Sequence, residues 1–263
     1  MAAPNLTTLS PIQGHNGQIL TLTGQGLTGT TRVTFSGKSF APATVSATTV
    51  TVETPVLPVG QVDVSVTASG ITSNSLPFYY IASPMCRSLS LNEGPAAPTL
   101  ITIFGNALST ATGVLFGSVG PGTGLVIVSD TALNITTPPH GSFGPACTDT
   151  VDVTVTTAGG STFPTGASCQ YTYYQAPNIT GLSPTAASTG STVTIVGTCL
   201  PDATQVTFTP TGGGQATQAA FTNISTSRIT TVVPPSLVAG TYDIRVTTPG
   251  GQTPIVPIDV FTI

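Results

Sequence analysis

Charged side chains are scarce in this chain. Only 5% of the 263 residues are Asp, Glu, Lys or Arg, and five basic residues against nine acids give a formal net charge of −4. Nucleic-acid binding needs a basic face that neutralises phosphates, and five scattered cations cannot build one. We therefore expect no nucleic-acid partner. The same shortage of basic residues disfavours binding to an anionic membrane surface.

Long apolar segments are also missing. No run approaches the roughly 20 residues of a transmembrane helix, so we expect no membrane insertion. The first residues, Met1–Asn5, have neither the basic nor the apolar part of a secretory signal peptide. Either a signal was removed, or the protein reaches its site by another route, as virion proteins released by lysis do.

The residues that usually build catalytic or metal sites are few and scattered. His15 and His140 each stand near Gly without further Cys, His or acidic neighbours at zinc-ligand spacing, so we expect exposed loop histidines. There is no G-x-S-x-G motif, and the run at 212–214 lacks the Lys of a phosphate-binding loop. The sequence thus predicts a protein that is not an enzyme and that has no metal and no cofactor.

One pattern occurs three times along the chain. A strand-like alternation ends in Gly, a short polar turn follows, and a second strand ends in Phe. The three copies are 18–24 with 32–35, 100–105 with 113–116, and 192–197 with 205–208. A threefold repeat in a chain of this length predicts three domains.

The rest of the chain fits an all-β fold. Its 29 Gly and 23 Pro punctuate short alternating segments, as in β-sandwiches, and no window shows the helical period. We place the domains at 1–82, 83–175 and 176–263. The linkers at 81–84 and 175–177 are short and contain Pro, which predicts restricted angles and an elongated rod.

Taken together, the repeated motifs resemble the IPT/TIG family of immunoglobulin-like domains. They run in the order Ser-Pro, Val-Thr-Ile-x-Gly, Val-x-Phe, Val-Asp-Val-x-Val-Thr and Pro-Gly-Gly, and they cover essentially the whole chain as three tandem copies. The resemblance implies β-sandwich domains. It does not fix a function, since such domains occur in receptors, adhesins, enzyme spacers, phage structural proteins and transcription factors. The missing basic loops disfavour the last of these.

Four cysteines allow three pairings. Cys147 and Cys169 flank the strand at 150–157 and its return, so we predict a disulfide between them in an oxidising setting. The alternative is four free buried thiols. The sequence does not bring Cys86 and Cys199 together.

Two further residue sets recur at fixed places in the repeats. An Asp stands in a corresponding strand of each copy, at positions 63, 152 and 243, and we interpret it as structural, bonding nearby loop backbone, with calcium ligation as the alternative. Most of the six tyrosines close a repeat. We expect them in cores and between domains rather than in a sugar-stacking platform, and the absence of Trp favours that interpretation.

The second copy carries extra length in two segments, 117–124 and 140–148, which we place in loops at the ends of a sandwich. The candidate binding residues there are Gly117, Ser118, Pro121, Thr123, His140, Ser142 and Phe143.

Two hypotheses for function follow. The first is a non-catalytic structural or interaction protein on an outer surface, such as a virion decoration or tail-associated protein, an extracellular filament or a cell-envelope component. It would act through self-assembly or docking, because sheet edges with few Lys favour strand addition. The second is an adhesin, or a glycan- or receptor-binding module, that uses the loops of the second domain.

Overall fold

The computed structural model describes residues 3–162 and 167–263. Among these residues there is no α-helix, and strand pairing divides the chain into three units with no ladder between them. Each unit places a four-stranded sheet against a second sheet of five or six strands. The chain is therefore all-β, as the alternating pattern predicts.

The first unit contains ten strands. Its sheets have the orders β1-β3-β7-β6 and β2-β10-β8-β4-β5, with β9 paired to β8. The strands are β1 Asn5–Ser10, β2 Gln13–Gly14, β3 Ile19–Gln25, β4 Thr30–Phe35, β5 Lys38–Phe40, β6 Thr44–Val45, β7 Thr49–Glu53, β8 Gly60–Ala68, β9 Ile71–Thr72 and β10 Leu76–Tyr80.

The second unit repeats this topology. Its sheets have the orders β11-β13-β17-β16 and β12-β20-β18-β14-β15, with β19 paired to β18. The strands are β11 Met85–Leu89, β12 Glu93–Pro95, β13 Leu100–Asn106, β14 Ala111–Phe116, β15 Gly120–Pro121, β16 Thr123–Ser129, β17 Ala132–Thr136, β18 Thr148–Thr157, β19 Gly160–Ser161 and β20 Gln170–Tyr174.

The third unit has the sheet orders β21-β22-β26-β25 and β24-β23-β27-β28, with β29 also paired to β27. Short 3-10 turns at Ala167–Cys169 and Pro257–Asp259 precede the last strands of the second and third units. The strands are β21 Asn178–Ser183, β22 Thr192–Thr198, β23 Gln205–Pro210, β24 Thr217–Ala219, β25 Phe221–Ser225, β26 Arg228–Val232, β27 Thr241–Thr248, β28 Gly251–Gln252 and β29 Val260–Thr262.

The glycine that ends the first strand segment of each repeated motif has a steric cause. A Cβ at Gly24, Gly105 or Gly197 would lie 2.2, 2.0 or 2.2 Å from the carbonyl oxygen of the first residue of the neighbouring strand. That distance is far inside van der Waals contact, so the two strands can meet only where no side chain stands between them.

Each sandwich has its own hydrophobic core. The Phe of the Val-x-Phe motif is fully buried in every unit, as Phe35, Phe116 and Phe208. The alternating partners on the other sheet, such as Leu20 and Leu22 in the first unit, fill the opposite side. Period-two patterning thus sends one face of each strand inward and leaves the Thr-rich face outside.

Candidate functional site

The first predicted binding segment, 117–124, is only partly a loop. Gly117 and Ser118 form the turn after β14, whereas Pro121 belongs to β15 and Thr123 begins β16. The backbone amide of Gly117 donates to the carbonyl of Asp152 at 2.9 Å. The prediction of one continuous loop is therefore wrong, because backbone pairing with β14 and β17 continues through it.

His140 is not an exposed loop histidine. Its side chain is only 7% exposed, and its Nε2 lies 2.9 Å from Oδ2 of Asp149. The ring packs between Phe143 and Tyr173, with centroid distances of 4.2 and 5.1 Å. Its backbone amide also donates to the carbonyl of Ala96. His140 and Phe143 therefore anchor the second segment to the sandwich rather than presenting it to a ligand.

Ser142 lies in the same segment and is exposed. His15, in the first unit, is half-buried rather than exposed, with Nδ1 2.8 Å from the carbonyl oxygen of Asn16. A Cβ at Gly160 of the second unit would stand 3.5 Å from its ring. His15 thus lies against the neighbouring domain.

The predicted Cys147–Cys169 disulfide is wrong. In the ladder between β18 and β20, Asp152 faces Gln170 and Thr148 faces Tyr174, so Cys169 lies beside Val153 while Cys147 lies beyond Thr148. Six residues of strand, or about 20 Å, separate the two positions. A disulfide requires Cα atoms within about 7 Å.

Cys169 instead pairs with Cys86 across the core of the second unit. Both residues are buried, and their Cα atoms are 6.1 Å apart. Cys86 lies on β11 in the four-stranded sheet, where it pairs with Gly105 of β13, whereas Cys169 immediately precedes β20 of the six-stranded sheet. This disulfide therefore ties the two sheets of one sandwich together.

Cys147 pairs with Cys199, and this disulfide joins two domains. The Cα atoms are 5.2 Å apart, with Cys147 immediately before β18 and Cys199 immediately after β22. Cys199 has a φ of 55°, which matches Ala107 at the corresponding turn of the second unit. The second predicted binding segment thus ends in a covalent bond to the third domain.

Further contacts reinforce the junction between the second and third domains. The Tyr174 hydroxyl donates to Oδ2 of Asp202 at 2.8 Å, and the amide of Gln175 donates to the carbonyl of Cys147 at 2.9 Å. Burial, with the adjacent Asp202 carboxylate, raises the pKa of Tyr174 above its ordinary value. A Cβ at Gly250 would lie 2.3 Å from the carbonyl oxygen of Gln175, so the Gly250 turn presses directly on the linker.

The junction between the first and second domains uses the same backbone approach. A Cβ at Gly159 would lie 1.9 Å from the carbonyl oxygen of Ala82. Gly159 occupies the place in the second domain that Gly250 occupies in the third, in the turn after the long strand β18 or β27. Both linkers are thus held by a glycine turn of the domain that follows.

The tyrosine prediction is confirmed for five of the six residues. Only Tyr79 is exposed; Tyr80, Tyr171, Tyr173, Tyr174 and Tyr242 are buried. The prediction that the recurring aspartates bond nearby loop backbone is wrong for Asp152. Asp63 is exposed, Asp243 is buried, and Asp152 accepts a hydrogen bond from the side-chain amide of Gln170 at 3.0 Å rather than from loop backbone.

Comparison with known families identifies the repeat. The IPT/TIG domain matches residues 4–80, 84–173 and 177–262, which together make up most of the chain. This chain belongs to the IPT/TIG domain family. No curated protein matches it.

Solved structures resemble these IPT/TIG domains at low identity. The plexin A4 extracellular region is 19% identical, with a TM-score of 0.44, and the match covers 89% of this chain and 21% of that one. A Bacteroides ovatus mixed-linkage glucan utilization protein, SGBP-B, is 18% identical, with a TM-score of 0.29 and coverages of 95% and 63%. A titin I-band fragment, I67–I69, is 10% identical, with a TM-score of 0.35 and coverages of 99% and 95%. The chain thus spans less than two thirds of the first two, and none of the three carries information on function.

Within residues 3–162 and 167–263 of these IPT/TIG domains, no three His, Cys, Asp or Glu side chains come close enough to hold a metal ion. The same residues contain no helix long and apolar enough to span a membrane. Of the predicted binding residues, His140 and Phe143 anchor their segment to the sandwich, whereas Ser118, Pro121, Thr123 and Ser142 are exposed.

Proposed function

We propose that this chain is a non-catalytic structural and interaction protein on an outer surface, acting through protein–protein assembly. The surface would belong to a virion, an extracellular filament or a cell envelope. The observation that carries the proposal is the Cys147–Cys199 disulfide, which converts the longest decoration of the second domain into an inter-domain joint. This segment is bound to its own domain at His140 and to the third domain at Cys147. Such an arrangement suits a structural joint better than a ligand-binding loop.

Two other observations support an outer surface. All four cysteines are paired, and disulfides persist in oxidising compartments. The exterior is also nearly uncharged and rich in Thr, so it offers backbone edges and hydroxyl groups rather than an ionic docking face.

Electron microscopy and light scattering of the native material test the proposal. We expect ordered filaments, or elongated molecules attached to a larger particle. A chain that stays dispersed, remains monomeric at high concentration and binds no particle or filament would overturn it.

The alternative, a glycan- or receptor-binding module, is tested in parallel with a glycan array and with a variant in which the exposed Ser118 turn is shortened. Array hits that disappear in the shortened variant would favour the alternative. An array without hits, together with normal attachment of the variant, would favour assembly.

A further inference from the structure

The last strand of the four-stranded sheet is an open edge in each domain, and the three edges differ. These edge strands are β6, β16 and β25. In the first domain the edge has two residues, and in the third it has five, including Asn223, whose side chain donates to the carbonyl of Ala203. In the second domain, β16 has seven residues, so its edge is the longest of the three.

The side chains of β16 are apolar and exposed. Val126, Ile127 and Val128 are 55%, 41% and 60% exposed, although neighbouring residues of a strand normally alternate between core and solvent. The strand contains no charged residue and no Pro, the residues that usually protect a sheet edge. Its register shifts on both sides of Val126–Ile127, so the regular part of the edge is short.

Further apolar side chains lie on the outer face of the same sheet, beyond the polar pair Asn134 and Thr102. Val126 lies beside Asn134 on β17, and Asn134 in turn faces Thr102 on β13. On either side of Thr102, Leu100 and Phe104 are exposed. The corresponding residues are Ile19 and Thr23 in the first domain and Thr192 and Val196 in the third, so this face is most apolar in the second domain.

The backbone of β16 has an unused side. Among the described residues, the backbone groups of Thr123–Ser129 bond only to β17. The groups that point away from β17 therefore remain available to another β-strand, which is the partner that satisfies a row of alternating N–H and C=O groups.

We propose that β16 pairs antiparallel with β16 of a second copy, across a two-fold axis perpendicular to the sheet. The strand is chemically suited to itself, because it brings no like charges face to face. Centred on Ile127, the pairing places Val126 of one copy opposite Val128 of the other, so β-branched side chains meet across the interface. The axis keeps the outer faces of both copies on the same side of the joined sheet.

This inference rests on the proposed function and names its partner as a second copy of the chain. The regular contact is short, so the isolated pair is weak. A weak lateral contact can still hold neighbouring copies together when both are attached to one surface. Attachment keeps the two β16 strands close, so they pair at a high effective concentration.

The test compares two matched lysine substitutions by sedimentation over a range of concentrations. Val128→Lys places a charge on the proposed interface, and Ile224→Lys places one on the 54% exposed edge residue of β25. Both positions are exposed, so both variants should fold, which circular dichroism checks. We expect reversible dimers in the wild type and in Ile224→Lys, and a dissociation constant raised about tenfold or more by Val128→Lys.

Hydrogen exchange supplies a second readout. The amides of Thr123–Ser129 should exchange more slowly at high protein concentration in the wild type, and Val128→Lys should remove that difference. A wild type that is monomeric at millimolar concentration would overturn the inference. So would equal weakening of the dimer by both lysine variants, or exchange in β16 that does not depend on concentration.

Failure of this inference can be told apart from failure of the proposed function. A monomeric wild type that still docks on a particle or filament would remove only the β16 pairing. A chain that dimerises through β16 but docks on no particle or filament would keep the pairing and the assembly, and would overturn only docking on a larger particle.

Discussion

The two junctions between domains share one backbone contact, and the second adds further bonds to it. At the first, the Gly159 turn rests on the carbonyl of Ala82; at the second, the Gly250 turn rests on the carbonyl of Gln175. The second junction also has the Cys147–Cys199 disulfide and the Tyr174–Asp202 hydrogen bond. The second junction therefore has a covalent bond and a hydrogen bond in addition to the backbone contact that both junctions share.

The difference between the junctions has a simple origin. The segment between β17 and β18 is long enough to carry Cys147 to the third domain, whereas the corresponding segment of the first domain, between β7 and β8, spans only 54–59 and contains no Cys. Packing alone permits a range of angles, because inter-domain contacts within a chain resemble transient interfaces. A disulfide restricts that range directly.

Removing the inter-domain disulfide should have the largest effect. We expect Cys147→Ala/Cys199→Ala to widen the distribution of angles between the second and third domains and to lower the free energy of unfolding by about 2–4 kcal/mol. Small-angle scattering and chemical denaturation measure the two effects. Ala is suitable at 199 because Ala107 adopts the same left-handed φ of 55° at the corresponding turn.

The matched control for that variant is Cys86→Ala/Cys169→Ala. It removes the disulfide inside the second domain, so it should destabilise that domain and leave the scattering profile unchanged. If the inter-domain variant scatters like the wild type, the disulfide does not set the angle.

Two glycine substitutions test the shared backbone contact. Gly159→Ala and Gly250→Ala would place a Cβ 1.9 and 2.3 Å from a linker carbonyl oxygen, so each linker must move. We expect Gly159→Ala to change the scattering profile more than Gly250→Ala, because the disulfide resists opening of the second junction. In the Cys147→Ala/Cys199→Ala background the two effects should become similar, and a persistent difference there would contradict this explanation.

A smaller effect is expected from Tyr174→Phe at the second junction. Loss of the hydrogen bond to Asp202 should lower the free energy of unfolding by about 1 kcal/mol at neutral pH. Because burial raises the pKa of Tyr174, this contribution is complete below pH 10 and falls as the pH rises through the folded-state value. Denaturation curves at pH 8 and pH 11 measure the change, with Tyr79→Phe on the exposed side of β10 as the control.

The smallest effect is expected away from the junction, at Asp259. Its carboxyl group is fully buried in the third domain and accepts a hydrogen bond from the amide of Val256, while burial raises its pKa. The protonated form is therefore favoured in the folded state, so the stability contribution falls as pH rises from the ordinary carboxyl value through the folded-state pKa.

Asp259→Asn keeps an acceptor and removes the charge. At neutral pH it should raise the free energy of unfolding of the third domain by about 1 kcal/mol or less, and at pH 3 it should change little. It should leave the scattering profile unchanged. Equal stabilisation at both pH values would show that ionisation of this group is not the cause.

The fold predictions rest on the local alternation of apolar and polar residues. Alternation along strands such as β3, β13 and β22 identifies which side chains enter the core, and the terminal Gly marks a backbone approach that no side chain permits. The alternation depends on residues within one strand, and the Gly recurs at the same place in each copy, so both can be recognised three times in one sequence.

The cysteine pairing and the contacts of the predicted binding segments could not be predicted from local patterns. The Cys147–Cys169 prediction failed because proximity along a hairpin does not give the register, and the register places those positions six residues apart. His140 carries no local sign of burial either, since Tyr173 and Asp149 reach it from β20 and β18. Long-range pairing decides both outcomes.

The sequence by itself determined three all-β IPT/TIG domains, their buried faces and their low charge, because composition is fixed by the sequence and period-two patterning acts within each strand. The tertiary structure decided which cysteines meet, which domains are covalently joined and which sheet edge stays open. Those outcomes depend on strand register and on contacts between distant segments, and no local pattern of residues specifies them.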